Sequence, residues 1–232
     1  EVDQVVLQLH GLDLQHRRLF DQQQAQRWVA SFAQRSKKPF WLALPNYGSR
    51  LHFNQYHQLS AVENEMPLGK EEGKSLELIV KPQQVAAFLQ WLKQFAAPQL
   101  QGVVWFRLPT SQDQRAWSLP TWHAVMQGQS LEEKLSVQLE LRSATELDLV
   151  LSNEGEIDAA MPARISVFGA CHSTINPSKA SIHYQQNDLM IAEQQEHRFL
   201  FCFAGLLRSG KKLHIASLQC AANAAPHLQV FN

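Results

Sequence analysis

The stretch QGVVWFRLPTSQDQRAW, residues 101–117, opens as a buried strand and closes in polar and charged groups. Five of the six residues from Val103 to Leu108 are apolar, and the sixth is Arg107. A continuous apolar run predicts a strand covered on both faces, which is the habit of parallel rather than antiparallel sheets. An arginine inside such a run needs either a partner or a way out of the packed layer.

The same style runs upstream. VDQVVLQLHGLD has an apolar core from Val5 to Leu9 and breaks at Gly11; PFWLALPNYG supplies a second strand from Phe40 to Leu44, ended by Pro45 and Gly48. Helical patterns lie between these runs. Asp21 is placed to cap a helix carrying Ala25, Trp28, Val29, Phe32 and Ala33 at helical spacing. Pro82 stands where a helix accepts proline, ahead of an apolar face of Val85, Phe88, Leu89, Leu92 and Phe95. A short third helix is predicted over Thr121 to Gln127, with Gly128 as its stop. Strand, helix, strand, helix, strand, helix is the order of parallel βα units.

From Leu135 onward the period changes to two. KLSVQLELRS puts Leu135, Val137, Leu139 and Leu141 on one face, and ELDLVLSNEG repeats this with Leu147, Leu149 and Leu151. RISVFG, SIHY, LMIAE, RFLFCFAGLL, KLHIASLQC and HLQVF continue in short pieces between Asn-Pro, Asn-Asp and Ser-Gly turn signals. That pattern predicts an antiparallel β-sandwich. The expected division is therefore residues 1–130 and 131–232, with the boundary between Gly128 and Glu133.

The bulk numbers exclude several classes. Lys and Arg balance Asp and Glu at 21 each, so neither a basic stripe for nucleic acid nor a polybasic segment for anionic lipid is present. No apolar run approaches the ~20 residues of a membrane helix. Cys171, Cys202 and Cys220 fit no zinc or redox spacing and read either as buried thiols or as one disulfide with a leftover thiol. The disulfide alternative would imply an oxidising compartment. Strand-like sequence begins within three residues of Glu1, so the chain reads as processed or truncated.

Three segments, LQLHGLD, ALPNYG and GVVWFRLPTSQDQRAWSLPTWHAVMQG, carry a family resemblance. Together they resemble the C-terminal part of an uncharacterised bacterial family, the domain of unknown function 3142, whose members resemble (β/α)8 barrels of glycoside-hydrolase type. The likeness runs over residues 1–128, and LSNEGEIDAAMPARISV resembles, more faintly, the β-sandwich that follows such a barrel. The resemblance implies an α/β plus all-β protein: a partial (β/α) barrel, its last three βα units, followed by the sandwich. It also implies a carbohydrate-related role, with glycan hydrolysis or binding by the intact parent, and a bacterial periplasm or envelope location; this chain alone, lacking an evident acid/base pair, is expected to be inactive. A non-catalytic envelope binding or interaction protein is the alternative.

In a parallel barrel, ligands collect where strands end and loops depart. The strand ends here offer His10 and Asp13, then Asn46, Tyr47 and Arg50, then Trp105, Arg107 and Asp113. Hydrogen-bonding groups, aromatic faces and a forked guanidinium suit a sugar cleft. Each also has a bland role: Arg107 can pair with Asp113 or Asp13, Tyr47 can belong to a turn, and Trp105 can fill an interface. Glycoside hydrolysis needs two carboxyl groups ~5–5.5 Å or ~6.5–9.5 Å apart. No such pair stands out among Asp13, Asp113, and Glu63 and Glu65 of the polar insertion QLSAVENEMPLGKEEGK, so no catalytic residue is assigned. His10, His16, His52 and His57 lack a metal-binding spacing, RSGKK at 208–212 reads as a hairpin turn rather than a phosphate loop, and no cofactor is expected. Three βα units cannot close a barrel, so a missing N-terminal half or self-association is expected to complete the sheet.

Overall fold

The computed structural model describes residues 2–64, 74–110, 113–173, 190–195, 198–202, 205–222 and 224–231. The chain divides into two compact units, Glu1–Leu131 and Glu132–Asn232.

In the first unit, strand β1 (Val5–Gln8) runs into a hairpin of β2 (His10–Asp13) and β3 (Arg18–Phe20), followed by helix α1 (Gln22–Arg35). Strand β4 (Phe40–Pro45) comes next, then β5 (Gly48–Phe53), β6 (Leu59–Glu63) and β7 (Lys74–Ile79), helix α2 (Pro82–Gln94), β8 (Leu100–Phe106) and helix α3 (Leu119–Gln127). The helices begin and end on local chemistry. The Asp21 carboxylate accepts the Gln24 N–H at 2.6 Å, and Pro82 opens α2. Gly128 closes α3 in the left-handed region, φ 66°, where a side chain would be strained.

Strands β1, β4 and β8 form a parallel sheet in that order, with Leu7 beside Leu42 and Leu42 beside Val103. One face packs on helices. Phe32 of α1 meets Phe40 edge-on with ring centroids 5.0 Å apart, and Trp105 lies against Trp117 and, in α3, Trp122. Along β1 and β8 the opposite face stays open: Val6, Val104 and Phe106 are exposed.

The barrel expectation is corrected by this arrangement. The described residues contain three helices among many strands, arranged as several small sheets, and no closed barrel; the fold is mostly β rather than an α/β barrel. Between β4 and α2 the described residues form an antiparallel sheet, order β6-β5-β7, which ends the alternation of strand and helix. Gly48 lets β5 start close to β7, since a Cβ there would stand 2.7 Å from the Leu78 carbonyl oxygen.

The second unit holds β9 (Leu135–Leu141), β10 (Glu146–Asn153), β11 (Ala159–Ala160), β12 (Arg164–Phe168), β13 (Cys171–Ser173), β14 (Met190–Gln195), β15 (Arg198–Cys202), β16 (Leu206–Leu207), β17 (Lys212–Cys220) and β18 (His227–Phe231). Two four-stranded antiparallel sheets, β13-β17-β10-β9 and β14-β15-β12-β18, are joined by a small β11-β16 pair. Leu149, Leu151, Ile165, Val167, Phe201, Ile215 and Leu218 supply one apolar core. Cys171 and Cys220, register partners on β13 and β17, are joined in a disulfide. Buried Asn153 donates to the carbonyls of Ile157 and Leu207, both at 2.9 Å, and accepts from Gly155, so it pins the loop after β10. The expected strand SIHY and the Asn-Pro and Asn-Asp turn signals lie outside the described residues. No helix among the described residues is long and apolar enough to cross a membrane.

Candidate functional site

Where the three parallel strands end, each contributes an aromatic side chain to one cluster. His10 follows β1, Tyr47 follows β4 and Phe106 ends β8. The His10 ring lies 5.0 Å from Phe106 and 5.5 Å from Tyr47, and the Tyr47 and Phe106 rings are 5.5 Å apart. His10 is buried at 6% exposure while Phe106 is 52% exposed, so the cluster has a covered floor and an open ring. The Tyr47 hydroxyl stands 3.1 Å from His10 Nδ1.

Asn46 braces this corner and is fully buried. Its backbone N–H donates to the Phe106 carbonyl at 3.3 Å, its Oδ1 accepts the Arg107 N–H at 2.8 Å, and its carbonyl accepts the Trp117 N–H at 2.8 Å. One residue thus holds the end of β4, the end of β8 and the segment that leads into α3. The Arg107 guanidinium is ion-paired with Asp113, whose other oxygen accepts the Thr110 N–H at 2.7 Å and hydroxyl at 2.9 Å. That pair accounts for an arginine inside an apolar run: Arg107 stands just past the last residue of β8, where its charge leaves the packed layer and meets a buried carboxylate.

The other candidates lie elsewhere. Asp13 sits in the β2–β3 hairpin with His16 and Arg18, and the His16 backbone N–H is the main cause holding its carboxyl below the usual range. Trp105 projects to the helix side, where its indole N–H donates to the Met126 sulfur. Arg50 lies on β5 and pairs with Glu77 at 3.1 Å.

A second polar cluster was hidden in the sequence. Arg115, 1% exposed, reaches Glu63 and Glu77 at 2.6 Å each, and His52 meets Glu63 at 3.0 Å. Burial pushes the Glu77 carboxyl up, against the pull of Arg115 and Arg50. Both carboxylates are occupied by a buried arginine, so the cluster fastens the β5-β6-β7 sheet to the 113–117 segment. Glu65 lies outside the described residues. Signals existed for several members: Arg50, His52 and Glu63 were each named from the sequence, and Arg115 stood in the opening stretch. Nothing marked Glu77.

In the second unit Ser217, His214 and Asp148 touch, yet not as a nucleophile relay. The Ser217 hydroxyl donates straight to Asp148 at 2.6 Å, and both residues approach the same His214 nitrogen, Nε2. A relay needs the carboxylate on Nδ1 and the hydroxyl on Nε2. Among the described residues no group of three His, Cys, Asp or Glu side chains could hold a metal ion.

Burial lowers the His10 pKa to about 4. The folded protein therefore keeps His10 neutral where the unfolded chain takes up a proton, so stability is full above pH ~6.5 and falls as pH drops toward 4. The loss from His10 should approach ~3 kcal/mol. Urea unfolding at a series of pH values checks this: the His10→Gln variant should lack that share of the slope between pH 6.5 and 4. An unchanged slope would mean that His10 does not titrate as described.

This is a mostly β protein of two units whose first unit gathers aromatic and polar groups at the ends of a short parallel sheet. The family described as Domain of unknown function (DUF3142) matches residues 1–111, within the first unit. No curated protein matches the chain. Among solved structures, chitinase ChiA74 from Bacillus thuringiensis is similar at 8% identity and a TM-score of 0.27, over 90% of this chain and 54% of that one. The chain thus spans about half the length of that chitinase, and a likeness of this size carries no weight for fold or activity.

Proposed function

We propose that the first unit binds carbohydrate at the rim of its parallel sheet, with Phe106 and Tyr47 as the apolar platform. The partly exposed Arg107 guanidinium, held by buried Asp113, is the polar group beside it, and buried Asn46 braces the strand ends that carry both. The supporting observation is the convergence of one aromatic side chain from each parallel strand end, with the Phe106 ring half exposed. A sugar presents C–H faces that pack on such a ring and hydroxyls that meet polar side chains. Asp13, Arg50 and Trp105 are outside this reading. The Cys171–Cys220 bond suits an oxidising compartment such as a bacterial periplasm.

Calorimetric titration with cellohexaose, xylohexaose and chitohexaose tests the proposal. At least one should bind, and Phe106→Ala should weaken that affinity about tenfold or more while lowering the melting temperature only modestly, since the ring is half exposed. Unaltered affinity in Phe106→Ala would remove the platform.

The second reading, a protein-interaction surface, is favoured by the open face of β1 and β8, because parallel sheets are ordinarily covered on both sides. Failure of all three sugars, together with concentration-dependent sedimentation abolished by Val104→Lys, would favour it.

A further inference from the structure

We infer that Tyr47 fixes the tautomer of His10 and thereby makes His10 Nε2 a hydrogen-bond donor for an uncharged oxygen of the ligand. The inference rests on the carbohydrate reading for the nature of the ligand, and on geometry alone for the tautomer. Among the described residues the Tyr47 hydroxyl meets one partner, His10 Nδ1, at 3.1 Å. A phenol is a good donor and a poor acceptor, while an imidazole nitrogen without hydrogen is a good acceptor, so the O–H points at Nδ1. Neutral imidazole carries one hydrogen, which then sits on Nε2. Burial keeps the ring neutral.

His10 Nε2 is buried and, among the described residues, has no hydrogen-bond partner. A buried N–H left unmet is costly, and in native proteins such groups call for an explanation. Its position in the strand-end cluster supplies one: the donor is held in reserve for an acceptor that arrives with the ligand. The chemistry of that acceptor follows from the surroundings. The rings of Phe106 and Tyr47 flank His10, and an anion placed between aromatic faces against a neutral imidazole would lose its hydration without gaining a counter-charge. A hydroxyl or an acyl carbonyl oxygen suffers no such penalty. Tyr47 is then a positioning residue, acting through His10.

Nitrogen-15 NMR of the histidine side chains in the ligand-free protein tests the tautomer. His10 should show a protonated Nε2 and a bare Nδ1, and Tyr47→Phe, which keeps the ring, should convert this into a mixture. Binding is then read with cellohexaose, whose acceptors are hydroxyl and ether oxygens, chitohexaose, which adds acyl carbonyls, and an oligogalacturonate, which adds carboxylates. One of the two neutral probes should bind and shift the His10 Nε2–H resonance, and the anionic probe should bind more weakly than that one. His10→Leu should lose about tenfold in affinity for that neutral probe, with His10→Gln, which retains an N–H, recovering part of it. A protonated Nδ1, or a His10→Leu variant that binds like wild type while Phe106→Ala does not, overturns the inference and leaves the carbohydrate reading intact. Should no sugar bind, the carbohydrate reading fails together with the ligand part of the inference, and the tautomer is still decided by NMR.

Discussion

Arg115→Met should destabilise the protein by about 3–5 kcal/mol, the range found when one member of a buried ion network is removed and its counter-charges stay. Arg115 is the shared partner of Glu63 and Glu77, and no water replaces it easily at 1% exposure. Methionine fills much of the same volume, so the loss is electrostatic rather than a cavity effect. His52 remains on Glu63 and Arg50 on Glu77, which limits the damage without removing it. Urea unfolding followed by circular dichroism gives the magnitude, and pH gives the cause. Burial already raises the Glu77 carboxyl and Arg115 opposes that rise, so without Arg115 the folded state takes up a proton at Glu77 more readily than the unfolded chain, and the deficit should narrow as pH falls from 7 toward 5. Adding Glu63→Gln should also recover part of the loss. A deficit below about 1 kcal/mol, or one indifferent to pH, would show that the cluster is hydrated and does not fasten the small sheet.

The second large effect belongs to the other unit. Cys171 and Cys220 are 49 residues apart in sequence, and chain-entropy reasoning assigns a closed loop of that length about 4 kcal/mol. Cys171→Ser with Cys220→Ser should lower stability by that order, and a reducing agent should do the same to the wild type but not to the double variant. The bond ties β13 to β17, and among the described residues β13 has no other neighbour in its sheet. Thermal unfolding with and without reductant checks this; identical midpoints would show that the bond contributes nothing to stability.

The sequence made the helices and the parallel strands legible because their signals are local. Asp21, Pro82 and Gly128 mark helix ends by their own backbone chemistry, and Phe40 to Leu44 can only be a covered strand. The β5-β6-β7 sheet was not legible. Its strands alternate poorly, and their inward groups include Arg50, Glu63 and Glu77, which bury charge by pairing across strands rather than by being apolar. Reading that segment as a polar insertion left the strand–helix alternation intact, and the family resemblance then implied the barrel.

Strand ends directed attention to His10, Asn46, Tyr47, Arg107 and Asp113, since side chains beyond the last ladder bond escape the packed layer. Alternation alone could not say which face of β8 the helices cover. Trp105 was therefore chosen and Phe106 passed over, although neighbouring residues on a strand point to opposite faces. The structure puts Trp105 on the covered side.

That indole cluster of Trp105, Trp117 and Trp122 has an optical corollary. All six tryptophans of the chain, at positions 28, 41, 91, 105, 117 and 122, fall within the first unit. Emission excited at the red edge of protein absorbance therefore originates in that unit alone, and the disulfide-bearing unit is silent at those wavelengths.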